Sequence, residues 1–175
     1  MANAIVIQSK VMAQDNVALN RVGTFTSAVP NGTAFTCGDV KGDVFTLTKA
    51  TNAVKDVWLA VSPEVVLTDG KFLGIDRDVR NFVNQAGKPI DLIKLVPNVD
   101  VITVTEEFFK ASKAPTASNK IVEIDASGDF VALASATSSY AGLSFKVIEE
   151  TYIVVATGAI GSDRLKAWKL EVTQN

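Results

Sequence analysis

"GKPIDLIKLVPNVDVITVT" (Gly87–Thr105) decides the reading of the fold. It opens on a Gly-Lys-Pro turn, breaks again at Pro97-Asn98, and closes on an alternating run. In that run Val99, Val101, Thr103 and Thr105 share one side, while Asp100, Ile102 and Val104 share the other. Period-two alternation of β-branched residues suits a pleated, half-buried strand. The same pattern recurs outward in "VFTLTK" (Val44–Lys49), "KIVEID" (Lys120–Asp125), "FVALA" (Phe130–Ala134), "LSFKVIEE" (Leu143–Glu150), "TYIVVA" (Thr151–Ala156) and "RLKAWKLEV" (Arg164–Val172).

Turn signals separate these runs, among them Pro30-Asn31-Gly32, Lys41-Gly42-Asp43, Asp69-Gly70 and Ser127-Gly128-Asp129. Short strands at about ten-residue spacing predict an all-β, mainly antiparallel chain folded as a barrel or sandwich. Helix is confined to at most one short candidate, "TEEFFKASK" (Thr105–Lys113), which reads either as a helix with Thr105 as its N-cap and acids in its first turn or as an irregular crossover.

"ASKAPTASN" (Ala111–Asn119) is small, polar and split by Pro115, which reads as a linker. The expected organisation is therefore a main β domain over residues 16–110, a linker over 111–119, and a smaller C-terminal β lobe over 120–175. Residues 1–15 form either an edge strand of the domain or an arm that orders on a neighbouring subunit. Ile5, Val6 and Ile7 supply the apolar run in that segment. A faint echo links "GDVFTLTKAT" (Gly42–Thr51) to "GDFVALASAT" (Gly128–Thr137). It reflects either duplicated lobes or a recurrent hairpin opening.

Composition narrows the function. Of 175 residues, 47% are hydrophobic and 21% charged, which is the balance of a globular chain with a real core. The net charge of −2 is spread along the length, without the basic stripe that nucleic-acid binding needs. No run approaches the roughly 18 apolar residues of a membrane helix, and "MANAIVIQSK" lacks the layout of a signal peptide. Nucleic acid and membrane are not expected partners. The absence of histidine removes Ser-His-Asp and Cys-His catalysis and the usual zinc sites. Cys37 stands alone and reads as a small buried hydrophobe.

The remaining constellations have structural readings. Asp69, Asp76 and Asp78 do not match the spacing of a calcium loop, and Arg77 and Arg80 neutralise them. Glu106-Glu107 and Glu149-Glu150 are neighbours, which on a strand face opposite ways and cannot act as a carboxylate pair. "GAIGSDR" (Gly158–Arg164) lacks the Gly-Lys-Ser/Thr ending of a phosphate loop and reads as a hairpin loop. Trp58 and Trp168 read as core or half-buried sheet residues. No catalytic residue, cofactor or metal is expected.

Two segments carry a resemblance. "VSPEVVL" (Val61–Leu67) and "FVNQAGKPIDLIKLVPNVDVITVTEE" (Phe82–Glu107) are similar to the capsid decoration, or cement, proteins of tailed bacteriophages. The matching residues are Ser62, Pro63 and Glu64, then Phe82, Asn84, Ala86, Gly87 and Lys88, then Asp100, Ile102, Val104 and Thr105. "TAFTCGDV" (Thr33–Val40), "FTLTKAT" (Phe45–Thr51) and "VWLAVSPE" (Val57–Glu64) precede them in the same order. The resemblance spans residues 22–110, with the rest alike in architecture only. Family members often carry Arg soon after the Gly-Lys turn; Ile90-Asp91 stands here, so the docking face differs if that Arg touches the shell.

The resemblance implies a virion protein, made in the bacterial cytoplasm, that binds the major capsid protein on the outside of the assembled head. It also implies copies of itself as further partners. The candidate contact residues are Ile5, Val6 and Ile7 with the charged loop Asp76, Arg77, Asp78, Arg80 and Lys88. Two rival readings are another phage structural component, such as a tail tube or head fibre, and a small β-barrel ligand- or carbohydrate-binding module.

Overall fold

Alternation becomes strand here because two separate cores take up opposite faces of the same strands. The computed structural model describes residues 2–64, 66–67, 75–76, 78–157 and 161–175, with 66–67, 75–76 and 157 as backbone. The first seven strands are β1 (Val6–Lys10), β2 (Asn20–Thr24), β3 (Ala34–Lys41), β4 (Val44–Lys49), β5 (Trp58–Ala60), β6 (Val66–Leu67) and β7 (Ile75–Asp76). They are followed by β8 (Pro89–Lys94), β9 (Val101–Thr105), β10 (Ile121–Ile124), β11 (Phe130–Leu133), β12 (Ser144–Thr157) and β13 (Gly161–Gln174). The chain is all-β, and its only helical turns among the described residues are short 3-10 segments. Thr105–Lys113 contains one of these, Glu106–Phe108, and Thr105 does not cap it with its side chain.

Strands β2-β4-β3-β5-β8 close into a barrel. All of its pairings are antiparallel except β2 with β4, where Gly23 lies against Phe45 and Thr24 against Thr46. Phe35, Leu47, Trp58, Ala60, Ile90 and Leu92 fill the interior. Gly23 is required on β2, because a Cβ there would lie 2.4 Å from Leu47 Cδ2.

The second unit is a six-stranded sheet in the order β1-β9-β13-β12-β10-β11. Its inner face carries Ile102, Val104, Val122, Ile124, Phe145, Leu170 and Val172. Phe108 stacks on Phe130 at 4.3 Å, and Phe109 meets Trp168 edge-on at 5.4 Å. Ala34, Leu59, Ile93 and Leu95, from the outside of the barrel wall and its exit, belong to this same cluster. Neighbours in sequence thus serve two cores: Trp58 points into the barrel and Leu59 out of it towards the sheet.

Sheet membership cuts across the boundaries read from the sequence. β9 precedes residues 111–119, yet it sits between β1 and β13 in the sheet completed by the C-terminal strands. Residues 111–119 do not separate two bodies. Lys110 N donates to Phe130 O at 2.8 Å, Ala132 N donates to Lys113 O at 2.9 Å, and Pro115 is buried. The physical reason is the outer edge of β11, whose backbone groups need partners that this segment provides. The Gly-Asp echo marks a hairpin opening in both places. Gly42 and Gly128 have φ of 65° and 81° and lead into β4 and β11.

The N-terminal segment is an edge strand of its own chain, not an arm. β1 pairs antiparallel with β9, placing Val6 opposite Val104. Ile5 is 3% exposed, its N–H donates to Thr105 Oγ1 at 3.2 Å, and its carbonyl accepts from Thr105 N at 3.2 Å. Beyond β1, the carboxylate of Asp100 accepts from Met12 N at 2.8 Å and Val96 N at 2.7 Å. These contacts hold the segment from Ile5 to Met12 along its length.

Candidate binding cleft

The charged loop begins with a cap. Asp78 Oδ1 accepts from Arg80 N at 3.1 Å and starts the 3-10 turn Val79–Asn81. Arg80 then folds its guanidinium onto the same carboxylate, with Nε at 2.8 Å and Nη2 at 2.6 Å. Nη2 also reaches Asp163 Oδ2 on β13 at 3.1 Å. On its backbone side, Arg80 O accepts from Asn3 N at 2.8 Å, and Asn3 Nδ2 donates to Phe82 O at 2.9 Å. One arginine therefore joins the N-terminus, the loop and the long hairpin. Its hydrogen bonds hold the Asp78 carboxyl below the ordinary carboxylate range, against the opposing effect of burial.

From Phe82 the chain runs into a cleft of about 530 Å³. Ser62 and Pro63 form one wall, and Asn84, Gln85 and Lys88 form part of the other. Asn31, 3% exposed, cross-links the two walls from below. Its Nδ2 donates to Ser62 O at 2.8 Å, and its Oδ1 accepts from Ser62 N at 3.1 Å and from Asn84 Nδ2 at 3.1 Å. Asn84 also exchanges backbone hydrogen bonds with Val29, at 3.0 and 2.9 Å. Ser62 Oγ accepts from Asp91 N at 3.0 Å and ties the first wall to β8. Glu64 lies beside Asn31, and its half-burial pushes the carboxyl above its usual range while the Asn31 amide at 3.4 Å opposes that.

The turn above this floor is well anchored. Gly87 takes φ of 70°, and its N–H donates to Phe25 O at 2.8 Å. Gln85, Ala86 and Lys88 are left exposed on a braced turn. Gln85 and Lys88 are the long polar side chains this turn leaves exposed, while the amides of Asn31 and Asn84 are engaged inside the chain. Among the described residues, no three His, Cys, Asp or Glu side chains converge as metal ligands would. No helix among them is long and apolar enough to cross a membrane.

The expected contact residues fare differently. Ile5 is core, Val6 is half-buried, and Ile7 alone of the three is exposed, at 43%. Asp78 and Arg80 come together, but much of their capacity is used inside the chain. Lys88 stands at the cleft mouth. Asp76 is described as backbone within β7, and Arg77 and Asp69 lie outside the described residues. Asn31 was legible only as part of a Pro-Asn-Gly turn, and nothing in its neighbours signals an inward-facing amide. Asn3 and Asp163 carried no signal as partners of the loop. Cys37 is half-buried, with its thiol pushed up by burial, while Trp58 and Trp168 are both buried.

Comparison with family models, with curated proteins and with solved structures finds no match for this chain.

Proposed function

We propose that this chain is a virion structural protein that binds the outside of an assembled phage head and stabilises the shell of the major capsid protein. The observation that carries the reading is a convergence. Ser62-Pro63 and Phe82–Gln85 with Lys88, from the two segments that resemble the decoration family on either side of the charged loop, line one cleft, and Asn31 bridges them. The antiparallel pairing of β5 with β8 brings the two segments together, since one follows β5 and the other precedes β8. A braced turn carrying Gln85 and Lys88 offers a preformed surface, which lowers the ordering cost of docking. The protein then acts by binding alone. A ligand that prefers the assembled, expanded shell lowers the free energy of that state relative to any other. Many weak contacts around the head add through multivalency.

Heads prepared without the protein and then incubated with it provide the test, read by sedimentation and by imaging. The intact chain should occupy the outer surface, and heads carrying it should withstand heat or osmotic shock better. Lys88→Glu should lower occupancy a few-fold, in keeping with about 0–1 kcal/mol for an exposed charge at an interface rim. Failure of the intact chain to bind heads, or binding to glycans instead, would overturn the reading.

A further inference from the structure

The hairpin of β12 and β13 outruns the sheet it belongs to. β10 pairs with β12 at Ser144–Lys146, and β9 pairs with β13 at Ala167–Glu171. Beyond those points, from Glu149 to Thr157 and from Gly161 to Lys166, each strand has the other as its sheet partner among the described residues. Each therefore presents an outer edge of backbone N–H and C=O groups, which is a template for another strand.

The two edges differ in chemistry. β13 carries Asp163, Arg164 and Lys166 along its free stretch, the kind of charges that discourage pairing. β12 carries "TYIVVAT" (Thr151–Thr157), with no charge, no proline and strong β-forming side chains. Val154 is 69% exposed and Tyr152 49%, so this face is not consumed by the core.

We propose that the free edge of β12 pairs antiparallel with the same edge of a second copy of this chain, about a two-fold axis through Val154. The run is self-complementary in that register. Thr151 stands opposite Thr157, the large Tyr152 opposite the small Ala156, Ile153 opposite Val155, and Val154 opposite itself. Facing pairs of this kind are the unit of sheet stabilisation. Glu149 and Glu150 fall outside the paired run and hold the register, because centring on Tyr152 instead would set Glu150 against Val154. The β13 strands become the outer edges of the resulting four-stranded sheet, and their charges stop the association at two copies. The contact is one strand wide and smaller than a standard stable interface, so the dimer is concentration-dependent. This inference stands apart from the capsid reading.

Sedimentation velocity of the full chain, from micromolar to millimolar, should show monomer passing into dimer. Val154→Lys should remain monomeric throughout with an unchanged melting temperature, because Val154 already faces solvent. In a Cys37→Ser background, Val154→Cys should oxidise to a disulfide-linked dimer, while Val40→Cys, at an exposed position on the barrel, should not. A chain that stays monomeric, a dimer that survives Val154→Lys, or equal cross-linking at both cysteines would each overturn the proposal. So would a monomer whose head occupancy falls with Val154→Lys, since that assigns the edge to a different protein.

Discussion

Asn31 shows how one buried amide can organise a surface. Its single side chain satisfies both backbone groups of Ser62 and the amide of Asn84, so three groups that water cannot easily reach are paired at once. A buried polar group without a partner costs about 1–3 kcal/mol, which is why an apolar residue of the same size would loosen the cleft. The ionisable residues nearby act with opposite signs. Asp78 has its folded-state pKa depressed below its ordinary 3.8 by Arg80. Its contribution is therefore present above that value and is lost as the pH falls through the folded-state pKa. Glu64 has its pKa raised above 4.5 by burial, so the folded state binds its proton more tightly than the unfolded state does. Ionising Glu64 costs stability as the pH climbs from near 4.5 through its raised value. Melting temperatures across an acid series should separate the two effects. Asp78→Asn should flatten the loss of stability at the acid end, and Glu64→Gln should remove the decline on the other side.

At the scale of elements, β1 is the informative case. A run of Ile5, Val6 and Ile7 at a chain end needs a partner strand, and that requirement is readable from composition. Its partner is not, because β9 is almost a hundred residues away and no local rule selects it. Thr105 illustrates the competition. Its sequence context suits a helix N-cap, but its hydroxyl accepts from Ile5 N, and tertiary pairing wins over a local cap. Deleting residues 2–12 should lower the melting temperature of the isolated protein sharply, since it exposes the edge of β9 and leaves Asp100 without one of its two donors. Ile5→Ala alone should cost about 2–5 kcal/mol in chemical denaturation, the range for a truncated core aliphatic. A truncated protein that melts unchanged would show that the strand contributes nothing to the fold. The apparent linker follows the same logic: its small polar residues look unstructured in sequence, yet the backbone at Lys110 and Lys113 completes the edge of β11.

Over the whole molecule, the barrel and the sheet share a wall instead of a tether. Leu59, Ile93 and Ala34 leave the barrel wall to join the sheet's core, so neither unit keeps its apolar surface covered without the other. That coupling predicts one cooperative unfolding transition. The two tryptophans allow a direct check, since Trp58 reports on the barrel and Trp168 on the sheet. Trp58→Phe and Trp168→Phe, each followed by the fluorescence of the remaining tryptophan, should give a transition that coincides with the loss of far-ultraviolet circular dichroism in the same variant. Leu59→Ala should move both reporters together, by about 2–5 kcal/mol. Separate midpoints for the two reporters within one protein would mean two independently folding units.

The sequence by itself determined the all-β class, most of the strands and the turns between them. Alternation and turn chemistry are local, and each strand has a face that must be buried wherever it pairs. It also drew attention to Ser62-Pro63-Glu64 and Phe82–Lys88, but not to their meeting in a cleft or to the amide of Asn31 beneath them. Only the tertiary structure decided which strands pair, that β9 joins the C-terminal strands, that β1 is held by its own chain, and that Arg80 is shared between Asp78 and Asp163. Those choices depend on contacts between residues far apart along the chain, where the gain from completing a shared core outweighs what any short segment prefers by itself.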